Sequence, residues 1–376
     1  MKLVIDASNI KVGGGLQVAL SVINYLLENN SRFQCISYVI TPQVYKQIRR
    51  KDLLSKYIIV ETSVFTLIPF SKTSKNITNF IAAADVVFTV FGPNFWGEHK
   101  NHLMGFANAW LVSPSTNAYK RLPVLLRLKA KIKNKVLAKI LYKPNRYYIT
   151  ETIDIQRKFC DFFSCEPKMI KVIPNTLPYM YSDKPFLLKK IKFNEKIAEK
   201  FKFITIASNY PHKNLQVMET VGDILTEKGL DFIFMVTIPE QEYSKLSTKF
   251  RKYTHNLGVI PVSSCPDYYF SADAMFLPTI LECFTVSYLE AFACGTPVVT
   301  SNLEFATEIC KSAAIYFDPY QPEDIALKLE DMILNKNLSV ELVKRGYEII
   351  KYHPSNIDKI NCYIEEIFKI GNKNNV

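Results

Sequence analysis

Residues 274–301 read AMFLPTILECFTVSYLEAFACGTPVVTS. Ala274–Leu277 and Val298–Ser301 are apolar runs of strand length, and between them Gly295, followed by Pro297, stands where a helix C-cap belongs. Strand, helix and strand in that order make the βαβ unit of a parallel sheet, and the pattern continues outward in both directions. On the N-terminal side the strand candidates are Leu3–Asp6, Cys35–Ile40, Tyr57–Glu61, Val86–Thr89, Tyr147–Thr150 and Met169–Ile173. Beyond residue 180 they are Phe203–Ser208, Phe232–Thr237, Asn256–Val259, Ala274–Leu277, Val298–Ser301 and Ala314–Phe317. Pro174 through Phe193 interrupts the alternation with prolines and Ser182-Asp183-Lys184, a composition that suits a link between domains. The fold class expected is α/β, with two doubly wound Rossmann-like domains. The first spans 1–180 and the second 181–354, and a last helix within 355–376 is a candidate to pack back on the first.

The bulk numbers agree with this division. A chain of 376 residues exceeds one ordinary core and fits two domains of about 150–200 residues each. Hydrophobic content of 48% with 22% charged residues excludes disordered and fibrous classes. The net charge of +12 favours an anionic partner: nucleic acid, a phosphorylated ligand or an acidic lipid surface. Eight cysteines stand singly with no CxxC pair, so neither a zinc site nor a secreted disulfide framework is expected. Asp6 follows Met1 too soon for a signal peptide, and no stretch reaches the ~18 uncharged apolar residues of a membrane span. A cytoplasmic location is expected.

Several segments carry chemistry. Glu282 and Glu290 are eight residues apart, the first in the loop past the carboxyl end of a strand and the second on the helix that follows. Ligands of open α/β sheets bind in that crevice, where the free amides of a helix start, here at Thr285 and Val286, hold phosphate oxygens. A carboxylate beside them grips sugar or ribose hydroxyls by charge-assisted hydrogen bonds. The plainer alternative, a dipole partner and a solvated helix residue, fits poorly with the apolar Phe/Val/Tyr/Leu surroundings. Ser208-Asn209-Tyr210-Pro211-His212-Lys213 follows another strand and opens a helix; Lys213 there reaches a diphosphate, and His212 adds a donor for the leaving group. Gly13-Gly14-Gly15 after the first strand is an anion-friendly turn. As a dinucleotide fingerprint it fails at Val18 and lacks a ribose-binding acid after Cys35–Ile40, and a plain tight turn explains it as well. Phe91 through Phe106 is an aromatic, glycine-containing loop of the kind that lines clefts.

Glu282, Glu290, Ala291, Ala293, Gly295, Pro297, Val298 and Val299 give E-x7-E followed by A-x-A-x-G-x-P-V-V, which resembles the hallmark of the family 4 retaining glycosyltransferases of GT-B fold that build bacterial surface polysaccharides. The resemblance is dense over 200–320 and architectural over 1–180. It implies that Glu282 lies by the donor sugar, that Glu290 takes the ribose hydroxyls and that Lys213 meets the diphosphate. Gly14 and Gly15 would face the donor phosphates and acceptor, and His102 would be the first-domain histidine against the donor sugar, a structural histidine being the alternative. Cys283 and Thr285 stand where the family usually has glycine, and Asn209 where it often has arginine.

The implied activity is a metal-independent hexosyltransferase working with retention, the leaving phosphate deprotonating the acceptor. Its donor is a nucleotide diphosphate sugar, with no cofactor; no Asp-x-Asp occurs to hold a metal. The implied acceptor is a saccharide linked to polyprenyl diphosphate. The rival readings are a nucleotide-sugar 2-epimerase of the same architecture and a non-catalytic nucleotide-sugar or lipid-binding protein.

Between Lys120 and Arg146 there are ten Lys or Arg and no Asp or Glu. Arg127, Lys131, Lys135, Lys139 and Lys143 recur every four residues beside Leu128, Ile132, Val136 and Ile140, an amphipathic helix pattern. About 1 kcal/mol per cation near an anionic lipid surface would give reversible attachment to the inner face of the membrane. No zinc-finger, RNP or helix-turn-helix signature supports nucleic acid as the partner.

Overall fold

The computed structural model describes residues 1–61, 72–178, 181 and 188–372. The chain forms two units, one of Met1–Pro114, Leu125–Asn175 and Pro354–Val376, the other of Ser115–Val124 and Thr176–His353. Residue 180 and Ser182-Asp183-Lys184 lie outside the described residues. Ser115–Val124 is a difference from chain order: it falls inside the expected first domain but clusters with the second unit.

The first unit holds a parallel sheet of β1 (Lys2–Ala7), β2 (Cys35–Ile40), β3 (Tyr57–Ile59), β4 (Val86–Thr89), β5 (His102–Gly105), β6 (Tyr147–Thr150) and β7 (Ile170–Val172). Their order is β3-β2-β1-β4-β5-β6-β7. β5 is a correction, because the sequence reading took His102–Gly105 as part of a loop. The strand is four residues long and carries a histidine and a glycine, so no β-branched run announces it. Gly105 is required by packing: a Cβ there would lie 1.9 Å from the Val90 carbonyl oxygen. The helix Gly13–Glu28 buries Leu16, Ala19, Ile23 and Leu27, and the helix Asn356–Asn372 buries Ile360, Tyr363, Ile364 and Ile367. Both feed one core with Leu3, Ile5, Phe88 and Ile149 of the sheet, each fully buried side chain contributing about 1.5–3 kcal/mol.

In the second unit β8 (Phe201–Thr205), β9 (Phe232–Val236), β10 (Thr254–Asn256), β11 (Ala274–Leu277), β12 (Val298–Ser301) and β13 (Ala314–Phe317) are ordered β10-β9-β8-β11-β12-β13, all parallel. β11 shows why its sequence is apolar throughout. Met275 and Leu277 join one cluster while Ala274 and Phe276 join another, so successive side chains are buried on opposite faces. Gly295 follows the helix Val286–Ala293 with φ +69°, and Thr296 N donates to Ala291 O at 2.9 Å, closing the helix end as its glycine suggests.

Candidate active site

Strand order fixes where a ligand belongs. In the second sheet β9 and β10 lie on one side of β8, and β11, β12 and β13 on the other. The loops leaving β8 and β11 therefore diverge and open a crevice at the carboxyl ends of those strands. They are the segments that carry Lys213 and Glu282.

After β8 the chain passes exposed Ser208 and half-buried Asn209 into a 3-10 turn, Pro211–Lys213. Here the sequence reading is corrected: the long helix opens only at Val217, after Asn214 takes a left-handed conformation with φ 56°. Lys213 thus projects from a tight turn ahead of the helix. Ile280 N donates to His212 O at 2.8 Å, stitching the β8 and β11 loops together. Lys213 Nζ lies 2.5 Å from Glu282 Oε1, with the two side chains 16% and 13% exposed, and Thr279 Oγ1 donates to the same oxygen at 2.7 Å. His212 is less basic than an ordinary histidine: burial pushes it down to about 4, and the neighbouring Lys213 adds to this against the opposing pull of Glu282. At neutral pH it is an uncharged imidazole and adds no cation.

Past Glu282, Thr285 is the N-cap of the helix Val286–Ala293. Its φ of −123° is ordinary extended backbone, so the threonine in place of glycine imposes no strain. It is 5% exposed, and its buried hydroxyl finds no partner among the described residues. The first-turn amides, including that of Val286, are left without a side-chain cap, an arrangement suited to an anion. One turn deeper Glu290 is 8% exposed, and burial pushes its carboxyl up to about 7. No hydrogen bond to that carboxylate is found among the described residues. Tyr181, Tyr269, Cys265 and Cys294 all feel its charge.

The other candidates lie in the first unit. Gly14 and Gly15 belong to the first turn of the helix Gly13–Glu28, and a Cβ on Gly14 would meet no atom within 4 Å. His102 is fully buried on β5. Its Nε2 is 2.9 Å from Thr89 Oγ1, and Thr89 in turn donates to Asp6 Oδ2 at 3.0 Å. With that hydroxyl proton committed to Asp6, His102 donates through Nε2, and its Nδ1 finds no partner among the described residues. Burial first, then the charges of Arg146 and His99, holds the imidazole neutral. Sequence reasoning missed this network: Ser8 N donates to Asp6 Oδ1 at 3.0 Å, Trp96 Nε1 to Ser8 Oγ at 2.7 Å and Trp96 N to Asn94 Oδ1 at 2.7 Å. It welds the loops after β1 and β4, the equivalent crevice of the first sheet. The signal for it was present as four polar residues, Asp6, Ser8, Thr89 and Asn94, at the ends of two apolar strands.

The basic segment forms the helix Val124–Leu141. It stops short of Lys143, which pairs instead with Glu98 at 2.7 Å, so the column of five cations is cut to Arg127, Lys131, Lys135 and Lys139 on the helix. Asn134, Ala138 and Leu141 face the protein, and Asn134 Nδ2 donates to Trp110 O. Leu125, Leu128, Ile132 and Val136 are 74%, 57%, 56% and 55% exposed, so the apolar column is turned to solvent. No helix among the described residues is long and apolar enough to cross a membrane.

Residues 188–349 match the family described as Glycosyl transferases group 1. An uncharacterized glycosyltransferase of Methanocaldococcus jannaschii is 25% identical over 241 residues, 57% of this chain and 59% of that protein. O-antigen chain mannosyltransferase B of Escherichia coli is 34% identical over 70 residues, 19% of this chain and 18% of its own. The chain thus spans less than two thirds of these relatives. Among solved structures, Anabaena Alr3699/HepE in complex with UDP and glucose is similar with a TM-score of 0.68 at 13% identity, covering 98% of this chain and 99% of that one. The fold is that of the GT-B glycosyltransferases.

Proposed function

We propose that this protein is a retaining, metal-independent glycosyltransferase. It moves a sugar from a nucleotide diphosphate donor to a saccharide carried on polyprenyl diphosphate, at the inner face of the cell membrane, in the synthesis of a surface polysaccharide. The observation that carries the reading is the grouping of Lys213, Glu282, the uncapped helix start at Thr285 and buried Glu290 at the switch point of the second sheet. It lies within the segment that matches the glycosyl transferases group 1 family.

The chemistry follows from the grouping. Donor phosphates take the amides at Thr285 and Val286 and draw Lys213 away from Glu282, freeing that carboxylate to hold a hydroxyl of the sugar. Glu290 accepts from the ribose hydroxyls. The bond from the anomeric carbon to the diphosphate breaks, the acceptor oxygen bonds to that carbon on the same face, and the acceptor proton passes to the leaving phosphate. UDP in the Anabaena protein and the mannosyltransferase relative support this donor class.

Purified protein given UDP- and GDP-sugars with a lipid-linked saccharide extract should form a glycosidic product of the donor's own anomeric configuration, seen by NMR, with EDTA present. Inversion, or activity lost to EDTA and restored by Mg²⁺, overturns the retention or the metal independence respectively. Product isomerised at C2 of the donor sugar would instead establish the epimerase reading.

A further inference from the structure

The positive charge at the proposed donor site does not balance on the residues described above. Lys213 and Glu282 form a pair with no net charge, His212 is neutral at pH 7, and Asn209 is uncharged. A nucleotide diphosphate sugar brings two negative charges, and a helix start offers the equivalent of about half a positive one.

One segment places more cations at this point. Ser115–Val124 belongs to the second unit, although the chain on either side of it belongs to the first. Within it Thr116 caps a short 3-10 turn, Asn117–Arg121, its Oγ1 accepting from Ala118 N at 3.3 Å. Ala118 and Tyr119 anchor the turn by burial. The turn packs against Pro211–Lys213, the same turn that carries His212 and Lys213. It ends in Lys120 and Arg121, both exposed. The two turns approach within 8 Å by their Cα atoms, and arginine's planar fork matches a phosphate with two parallel N–H donors.

We propose that Lys120 and Arg121 bind the donor diphosphate, supplying the cationic clamp that Asn209 does not. The segment Ser115–Val124 is then a working part of the nucleotide-sugar site, read from the first half of the chain and used in the second unit. The proposal rests on the nucleotide-sugar reading given under Proposed function.

The test is calorimetric titration of the full chain with inorganic pyrophosphate, UDP and GDP, and with uridine and guanosine as phosphate-free controls. Lys120→Gln and Arg121→Gln should each weaken pyrophosphate and the favoured nucleotide by about tenfold, with a larger loss when combined. Nucleoside affinity should stay unchanged, and Arg121→Lys should recover part of the loss. Parent-like pyrophosphate and nucleotide affinity in the double variant, while Lys213→Ala still weakens both, would overturn the proposal. So would an equal loss for nucleosides, which would mark a structural effect. A parent chain that binds neither pyrophosphate nor either nucleotide would bring down the nucleotide-sugar reading itself, and this inference with it.

Discussion

Glu290 is a carboxyl group whose charge state is open near neutrality, because burial pushes it up to about 7 from an ordinary value of 4.5. Below that pH the folded chain keeps it protonated; above it the carboxylate is present. Ribose hydroxyls donate best to the charged form, so nucleotide affinity should rise as pH passes upward through about 7. Glu290→Gln should remove that rise and cost about 1–3 kcal/mol at pH 8. Identical pH profiles for parent and variant, measured by titration calorimetry, would take the ribose away from Glu290. Glu282 touches the transferred sugar in this scheme, so Glu282→Ala should lower turnover far more than nucleotide affinity. Equal losses in kcat and in nucleotide affinity would reduce it to a binding residue. These two carboxylates and Lys213 were legible because their spacing sits between a strand and a helix whose boundaries are well marked. The Lys213–Glu282 pair was not, since the two are 69 positions apart and only the adjacency of β8 and β11 brings them together. His102 shows the converse: its order along the chain suggested a ligand-facing loop, whereas the bond to Thr89 that buries it comes from strand pairing.

The helix Val124–Leu141 carries an element-scale argument. Its lysine periodicity is plain in the sequence, but which side packs is decided by small and polar residues, Ala138 and Asn134, that no hydrophobic count would choose. The result is an apolar ridge, Leu125, Leu128, Ile132 and Val136, standing in solvent among Lys129, Lys131, Lys133 and Lys135. That arrangement suits a helix lying in a membrane interface, its ridge among the acyl chains and its lysines reaching to anionic head groups. Arg127, Lys131, Lys135 and Lys139 changed together to Gln should abolish flotation with vesicles containing anionic lipid, and 1 M salt should weaken it in the parent, where screening shortens to about 3 Å. Leu128, Ile132 and Val136 changed together to Ser should leave a weak attachment that any rise in salt releases, because only the electrostatic part remains. A parent chain that never floats would show that the ridge serves a different surface. Edge-to-centre position explains the strand that was missed: β5 is internal to the sheet, so its backbone is paired on both sides, and four residues suffice where an isolated run of that length would not.

At the scale of the whole molecule, the order of the chain and the order of the units differ, and the last helix makes this testable. The spacing of Ile360, Tyr363, Ile364 and Ile367 marks an apolar face in the sequence, yet nothing local names the surface it covers. In the structure those side chains are at most 4% exposed and share a core with Leu3, Ile5 and Phe88, residues more than 250 positions away by the sequence numbering. Gly371 lies so close to the first strands that a Cβ would come within 2.5 Å of Met1 Sδ. Lys359, 3% exposed, donates to Asn175 Oδ1 at 3.1 Å, beside the point where the chain leaves the first unit. A chain ending at His353 should therefore lose stability in the first unit while keeping the second unit's own core. Both tryptophans, Trp96 and Trp110, belong to the first unit, so their fluorescence follows that unit alone. The truncated chain should show the tryptophan unfolding transition at much lower denaturant, or none, and should still bind nucleotide diphosphate through Lys213, Glu290 and the helix start at Thr285. Ile364→Ala, a milder change at the same face, should cost about 2–5 kcal/mol in the tryptophan transition and leave nucleotide affinity unchanged. If the truncated chain unfolds at the parent's midpoint by tryptophan fluorescence, the last helix is not a structural part of the first unit's core.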